Sequence, residues 1–317
     1  MAVGAVRWIH GITGAAPRVG DRCGRPVVSP RPAGHPPVVL TVAGSDPSGG
    51  AGIQADLKTF SALGAYGCAV LTALTAQNTR GVTGVHAVPA AFVTQQLRTL
   101  LDDVALDAVK IGMVADAGIA RALAAALPGS APHLVLDPVM VATSGDRLLT
   151  PDAEAVVRDE LVPLAGLITP NLAEAGALLG RPPAGTADEA TDQVHALLAA
   201  GARRVLLKGG HRTDELGGGG TVVDLYGEPG HEVVAITAPR VDTRNTHGTG
   251  CTLSAAIAAL RPVSPDWLTA VRRAKDYLTR ALQGADQLQI GRVGPDGHGP
   301  VHHFAGIWNE RKSDTAG

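Results

Sequence analysis

The run Asn245-Thr246-His247-Gly248-Thr249-Gly250-Cys251, followed by an alanine-rich segment, bears most directly on chemistry in this sequence. Gly248 and Gly250 let backbone N–H groups converge, and a helix beginning there adds roughly half a positive charge at its first turn. Such a start makes an anion hole suited to a γ-phosphoryl group in transfer. A glycine turn that merely caps a helix is the plainer alternative. Cys251 falls in the first turn, where a thiol pKa is expected to drop, so that a thiolate could accept a proton from a substrate hydroxyl. A small thiol packed under the loop is the plainer reading of Cys251. No Gly-Lys-Ser/Thr run is present, so the phosphate site is not a P-loop.

Four further stretches carry groups of the same kind. Thr41-Val42-Ala43-Gly44-Ser45-Asp46-Pro47-Ser48-Gly49-Gly50-Ala51-Gly52 is a glycine-rich loop that can approach a flat ligand, and Asp56 follows it on a helix. Asp137 lies just past an apolar run, and Glu174 follows Asn171 at a helix start. Carboxylates in loops at one sheet edge can hold Mg²⁺ through water, although each alone also reads as a helix cap. Lys208 ends another apolar run, as a cation for phosphate oxygens or as a surface lysine.

The elements that must position these groups follow an alternating rhythm. Short runs rich in Val, Ile and Leu predict strands at 38–43, 69–76, 108–112, 134–139, 167–169 and 205–208. Helical spacing joins Ile53, Leu57 and Phe60, and Pro89 opens a helix carrying Phe92, Leu97 and Leu101. Further helices are expected at 117–127, 151–161, 172–179, 187–200, 251–260 and 267–282. Two later runs, 221–226 and 233–237, predict an antiparallel edge hairpin. The fold class is therefore α/β, three layers with a mainly parallel central sheet and ligands beyond the carboxyl ends of the strands.

Composition narrows the field. The chain has 317 residues, 45% apolar and 18% charged, with aromatic residues at only 3% and a net charge of −2. That suits a folded globule and gives no field that would gather a nucleic acid. Arg272, Arg273 and Lys275 read as the solvated face of a helix. Cys23, Cys68 and Cys251 form neither a disulfide framework nor a zinc site, which implies a reducing cytoplasm. No run reaches the roughly 18 apolar residues of a membrane span. Residues 1–36 read as a flexible extension without a signal-peptide pattern, 37–305 as one domain, and 306–317 as a flexible tail. His302 and His303 read as a packed tail, since adjacent histidines point apart on most backbones.

From Val38 to Phe304 the sequence resembles the hydroxymethylpyrimidine/phosphomethylpyrimidine kinases of thiamin biosynthesis, within the ribokinase-like family. The strings that carry the likeness are AGSDPSGGAGIQADLKTF, SALGAYGCAVLTALTAQNTR, KIGM, LDPVM, SGD, ITPNLAE, KGGH, NTHGTGCTLSA and GPVHHF. The resemblance implies phosphorylation of 4-amino-5-hydroxymethyl-2-methylpyrimidine by ATP to the monophosphate, and then of the monophosphate to the diphosphate. It implies a pyrimidine held near Gly44, Asp56, Gln77, Met113 and Val139. The Gln77 amide would offer a donor and an acceptor together, and Met113 and Val139 would pack the ring. ATP would lie near Asn171, Lys208, Thr246, Gly248 and Thr249, with Mg²⁺ near Asp137 and Glu174. Lys208, Gly248, Gly250 and Cys251 would act on the transferring group, and sugar-kinase relatives carry an aspartate base where Cys251 stands. A homodimer is also implied. A pyridoxal kinase of the same fold is the nearest rival, and a non-catalytic ligand sensor is a more distant one. A dinucleotide-binding oxidoreductase is disfavoured, because no Gly-x-Gly-x-x-Gly follows the first strand.

Overall fold

The computed structural model describes residues 34–128, 132–140, 149–209, 220–291 and 298–308. A nine-stranded sheet in the order β3-β2-β1-β4-β5-β6-β7-β8-β9 forms its centre. The parallel part comprises β1 (Val38–Ser45), β2 (Tyr66–Asn78), β4 (Ala108–Ile111), β5 (Leu134–Leu136), β6 (Leu167–Ile168) and β7 (Val205–Leu207). The expected hairpin, β8 (Thr221–Gly227) with β9 (Val234–Pro239), lies antiparallel beside β7.

The opposite edge was not foreseen. There β2 runs on to Asn78 and turns back antiparallel as β3 (Gly81–Ala87). The Gly-Val-Thr-Gly-Val-His-Ala sequence of β3 lacks an apolar run because no helix layer covers it. The strand is exposed over most of its length, so periodicity had nothing to register.

Alternate residues of each central strand feed opposite helix layers, as the two-residue period of a strand requires. Val38, Leu40 and Val42 join one core cluster with α2 (Ala90–Leu101), α3 (Ala117–Ala126), α4 (Pro151–Val156), α5 (Leu172–Leu179) and α6 (Ala187–Ala199). Val39, Ala108, Val135, Leu167 and Leu206 join the other, facing α7 (Thr249–Leu260) and α8 (Trp267–Gln283), with Phe60 of α1 (Gly52–Ala62). Almost every residue of α7 from Thr252 onward is buried, and small alanines let that helix sit close against the sheet. The expected single helix over 151–161 instead passes into a π-helical turn at Val157–Leu161 and a 3₁₀ turn ending at Leu164.

Helix starts differ in a way that matters for the site. Asp116, Asn171, Thr186 and Asp266 cap α3, α5, α6 and α8 with their side chains. At α7 the cap is Gly248, in a left-handed conformation (φ 79°) and without a side-chain bond. The first-turn N–H groups of α7 are thus not consumed by a capping side chain. Residues 1–33, Ser144–Asp146, Gly210, His211, Gly217–Gly219 and 309–317 lie outside the described residues.

Candidate active site

A cavity of about 380 Å³ opens at the carboxyl ends of the parallel strands, within the range of small-molecule sites. One end is formed by Gly44 and Ser45 at the end of β1, by Thr75, Gln77 and Val82 of the β2–β3 hairpin, and by Met113 and Val139. The long β2–β3 hairpin brings Gln77 to the cavity wall. The other end is walled by Val222 of β8, Ala238 of β9 and Val241 just beyond it, with Leu278 and Leu282 of α8. Between the ends lie the floor residues Lys110, Asp137, Asn171, Glu174 and Lys208, and the α7 start from Thr246 to Cys251.

Charged groups crowd the floor. Lys208 Nζ lies 2.9 Å from Asp137 Oδ1 and 3.8 Å from Glu174 Oε2. Asp137 also accepts from Thr169 Oγ1 at 3.1 Å and Ser254 Oγ at 3.2 Å. Burial works against its charge, but Lys208 and Lys110 outweigh that cost and hold the carboxyl below its usual range. Glu174 goes the other way: burial and the neighbouring Asp137 push it up to about 6, against the pull of Lys208. For Lys208, burial is outweighed by Asp137 and Glu174, so the ammonium holds its proton more firmly than a free lysine.

Asn171 and Glu174 carry both alternatives that the sequence left open. Asn171 Oδ1 accepts from the Glu174 N–H at 2.8 Å, and Glu174 Oε2 from the Asn171 N–H at 2.7 Å, which completes a capping box. Both residues nevertheless line the cavity.

Gly44, Gln77, Met113, Val139, Asn171, Lys208, Thr246, Gly248, Thr249, Gly250, Cys251, Asp137 and Glu174 all meet in this one cavity. Asp56 does not. It is wholly buried, accepting from Lys110 Nζ at 3.0 and 2.8 Å and from Thr41 Oγ1 at 2.5 Å. Lys110 reaches the wall in its place. The reason is positional: Asp56 lies on the buried side of α1, facing β1 and β4.

Cys251 departs from expectation in its acidity. The residue as a whole is partly buried, yet the protein packed around it pushes the thiol up to about 11, with Asp56 and Asp137 adding to the effect. Lys110 and the Gly52 N–H favour the thiolate but do not outweigh burial. Lys275 is a second correction. Of the cluster read as a solvated face, Arg272 and Arg273 are exposed, whereas Lys275 is buried, lines the cavity and pairs with Asp224. Its place in α8 puts it on the inner stripe with Val271 and Leu278.

Sequence reasoning also passed over Lys110, Asp46 and His247. Lys110 had a signal, a lone charge inside the four-residue buried strand Ala-Val-Lys-Ile. Asp46 and His247 had none, because their pairing at 2.8 Å spans 201 residues of chain. His302 and His303 are both buried, His303 against Thr252 Oγ1 at 3.1 Å, as a packed tail requires.

A mainly parallel sheet with antiparallel edges, an uncapped glycine-started helix and a lysine–carboxylate floor at the strand ends define a ribokinase-like small-molecule kinase. The Phosphomethylpyrimidine kinase profile matches residues 46–302, and the chain belongs to that family. It is 53% identical over 270 residues to the hydroxymethylpyrimidine/phosphomethylpyrimidine kinase of Escherichia coli, covering 85% of this chain and 98% of that one. Among solved structures, a pyridoxal kinase from Staphylococcus aureus in complex with AMP-PCP and pyridoxal superposes with a TM-score of 0.76 at 33% identity, over 86% and 96% of the two chains. A phosphomethylpyrimidine kinase from Clostridium difficile gives a TM-score of 0.67 at 38% identity, over 78% and 99%.

Proposed function

We infer that this chain carries out both phosphorylations of the thiamin pyrimidine, as a bifunctional hydroxymethylpyrimidine and phosphomethylpyrimidine kinase. ATP and the alcohol give ADP and the monophosphate; ATP and the monophosphate then give ADP and the diphosphate. The observation that carries the division of labour is the single cavity with two unlike ends that meet at the start of α7. The pyrimidine lies at the Gly44, Gln77, Met113 and Val139 end, and the nucleotide base against Val222, Leu278 and Leu282.

In each step an oxygen of the acceptor attacks the γ-phosphorus, and the bond to the β-phosphate oxygen breaks in line with it. The N–H groups of Gly250 and Cys251, at the uncapped first turn, face the charge on the equatorial oxygens. Lys208, Asn171, Thr246 and Thr249 hold the phosphates, and Lys208 offsets the extra charge of the monophosphate at the second step. Cys251 stands where the hydroxymethyl proton must go. At about 11 its thiol keeps its own proton at neutral pH, so the small thiolate fraction is the form able to accept another. Loose phosphoryl-transfer states need little early help from a base, which fits a group of this acidity.

Asp137 and Glu174 fit Mg²⁺ of the kind that waters and substrate phosphates complete. Both are buried carboxylates at the wall, and no cluster of three metal-binding side chains exists among the described residues that could cage an ion without a nucleotide. Bound there, the ion would neutralise charge developing between the β- and γ-phosphates. We further propose that residues 37–305 form the kinase domain, that the chain acts as a homodimer, and that it works in the cytoplasm; among the described residues no helix is long and apolar enough to cross a membrane.

The pyridoxal reading retains one specific support, the TM-score of 0.76 with a pyridoxal kinase. A coupled ADP-release assay with Mg-ATP decides between them, with the alcohol, its monophosphate and pyridoxal offered in parallel and products identified by mass. Both pyrimidine phosphates are expected. Turnover of pyridoxal alone would transfer the protein to vitamin B6 chemistry, and no turnover would favour the ligand sensor.

A further inference from the structure

Two loops that line one cavity are tied together by one buried pair. Asp46, after β1, is 1% exposed, and its carboxylate accepts from the N–H groups of Ser48, Gly50 and Ala51 at 2.8, 3.1 and 2.8 Å and from Ser48 Oγ at 2.7 Å. The segment that follows Gly44 is thereby wound around one charge. The remaining donor comes from the loop that leads into α7, where His247 Nε2 lies 2.8 Å from Asp46 Oδ2. Since an ionised carboxylate can only accept, Nε2 carries the hydrogen.

His247 is itself fixed from a third part of the chain. Its N–H donates to Gly299 O at 3.0 Å, and its carbonyl accepts from Val301 N–H at 3.4 Å. The ring then packs on Gly50, where an added Cβ would collide with it and would also lie 3.0 Å from Pro300 Cβ. One residue further on, a Cβ at Gly248 would collide with the carbonyl oxygen of Gly50. The two loops therefore meet closely, with no room for a side chain at Gly50 or Gly248. Residues 44–46 and 246–248 line the same cavity from these two loops.

We propose that Asp46 and His247 are a positioning pair for phosphoryl transfer. They hold the pyrimidine-binding loop in fixed register with the anion hole at the start of α7. Neither touches the reacting atoms in this assignment; both act through Gly44 and through Gly248–Cys251. In-line transfer requires the acceptor oxygen and the γ-phosphorus about 3–3.5 Å apart, and a misplacement of about 1 Å can cost 10²-fold in rate. With the pair cut, each substrate still finds its own half of the cavity, but the halves lose register. A γ-phosphoryl group that is activated but misaligned with the alcohol can pass to water, giving ADP and inorganic phosphate.

The inference rests on the kinase reading and is tested so that the two can fail separately. ADP release and phosphopyrimidine are measured in parallel for the wild type, His247→Ala, His247→Gln and Asp46→Asn, with the folded fraction of each determined by circular dichroism. For His247→Ala, kcat is expected to fall about 10- to 100-fold while the pyrimidine KM stays within about threefold. Phosphopyrimidine formed per ADP should drop below one. Asp46→Asn should behave alike, and His247→Gln, whose amide can still donate to Asp46, should recover most of the product ratio. If His247→Ala does not fold, Asp46→Asn takes its place, with His247→Gln as the variant that keeps the bond. Rate losses that only track the folded fraction, with one product per ADP, would overturn the inference. Wild-type protein that makes no phosphopyrimidine would overturn the kinase reading and the inference with it.

Discussion

Lys110–Asp56 and Lys208–Asp137 are lysine–carboxylate pairs at the floor of one cavity, the first joining β4 to α1 and the second joining the ends of β7 and β5. Lys110 and Asp56 have no exposed side-chain surface, and Thr41 and both Asp56 oxygens complete a closed set of bonds. In the second pair Asp137 is 1% exposed but Lys208 is 15% exposed and also reaches toward Glu174. The first pair has its charges spent on each other. The second keeps an ammonium and two carboxylates turned to where phosphates and a metal would lie. A buried pair with no open side is a poor ligand site, and breaking it leaves an uncompensated charge. Removing a partly open cation costs chemistry before it costs folding.

That contrast can be broken directly. Lys208→Met should lower kcat by roughly 10³-fold or more, as loss of a cation facing a transferring phosphoryl group does, with a smaller loss of stability than Lys110→Met. Lys110→Met should cost about 3–5 kcal/mol of unfolding free energy, the range for removing one partner of a buried pair. Joining it to Asp56→Leu should return most of that loss. Steady-state kinetics and denaturant titration on the same preparations measure both quantities. If Lys208→Met is the less stable single variant, the distinction between closed and open pairs fails.

Cys251 lies between the two pairs and feels both. With a thiol at about 11, the thiolate fraction rises about tenfold per pH unit well below that value. If the thiolate accepts the proton, kcat should climb roughly a hundredfold from pH 7 to pH 9, and Cys251→Ser should lose the slope. Wild-type kcat that stays flat over this interval would mean that alignment and the anion hole carry the reaction without a thiolate.

The smallest expected effect belongs to the third buried pair, Asp46 with His247. Burial opposes the charge of Asp46, but His247, Ser48 and the Ala51 N–H bring the carboxyl down to about 2 from 3.8. A carboxyl with a depressed folded pKa stabilises the fold above its unfolded pKa, and the contribution goes as pH falls through the folded value. Asp46 should therefore contribute about 2 kcal/mol at neutral pH, lost between about pH 4 and pH 2. Asp46→Asn should flatten the stability–pH curve in that window, as followed by urea unfolding. An unchanged curve would mean that the loop around Asp46 is equally tight without its charge.

Much of this arrangement was legible residue by residue. The Val- and Ile-rich runs fixed six parallel strands to within a few residues, and the α5 helix from Leu172 to Leu179 falls where its pattern put it. Thirteen of the site residues named from the sequence line one cavity. Strand β3 escaped because an uncovered edge strand carries no apolar period. Asp56 was placed with the substrate because a helix after a glycine-rich loop points toward ligand as readily as toward the sheet, and only packing against β4 decides between them.

Spacing along the chain was enough to decide most of the elements, their order and a glycine-led helix start near Cys251, since period, glycine and proline act over a few residues. Acidity and pairing were decided elsewhere. Cys251 is held near 11 rather than lowered, Lys275 faces inward, and Asp46 meets His247, because each depends on groups brought close from distant parts of the chain. A helix terminus offers a thiol a modest field within its first turn, and the desolvation imposed by the assembled core exceeds it.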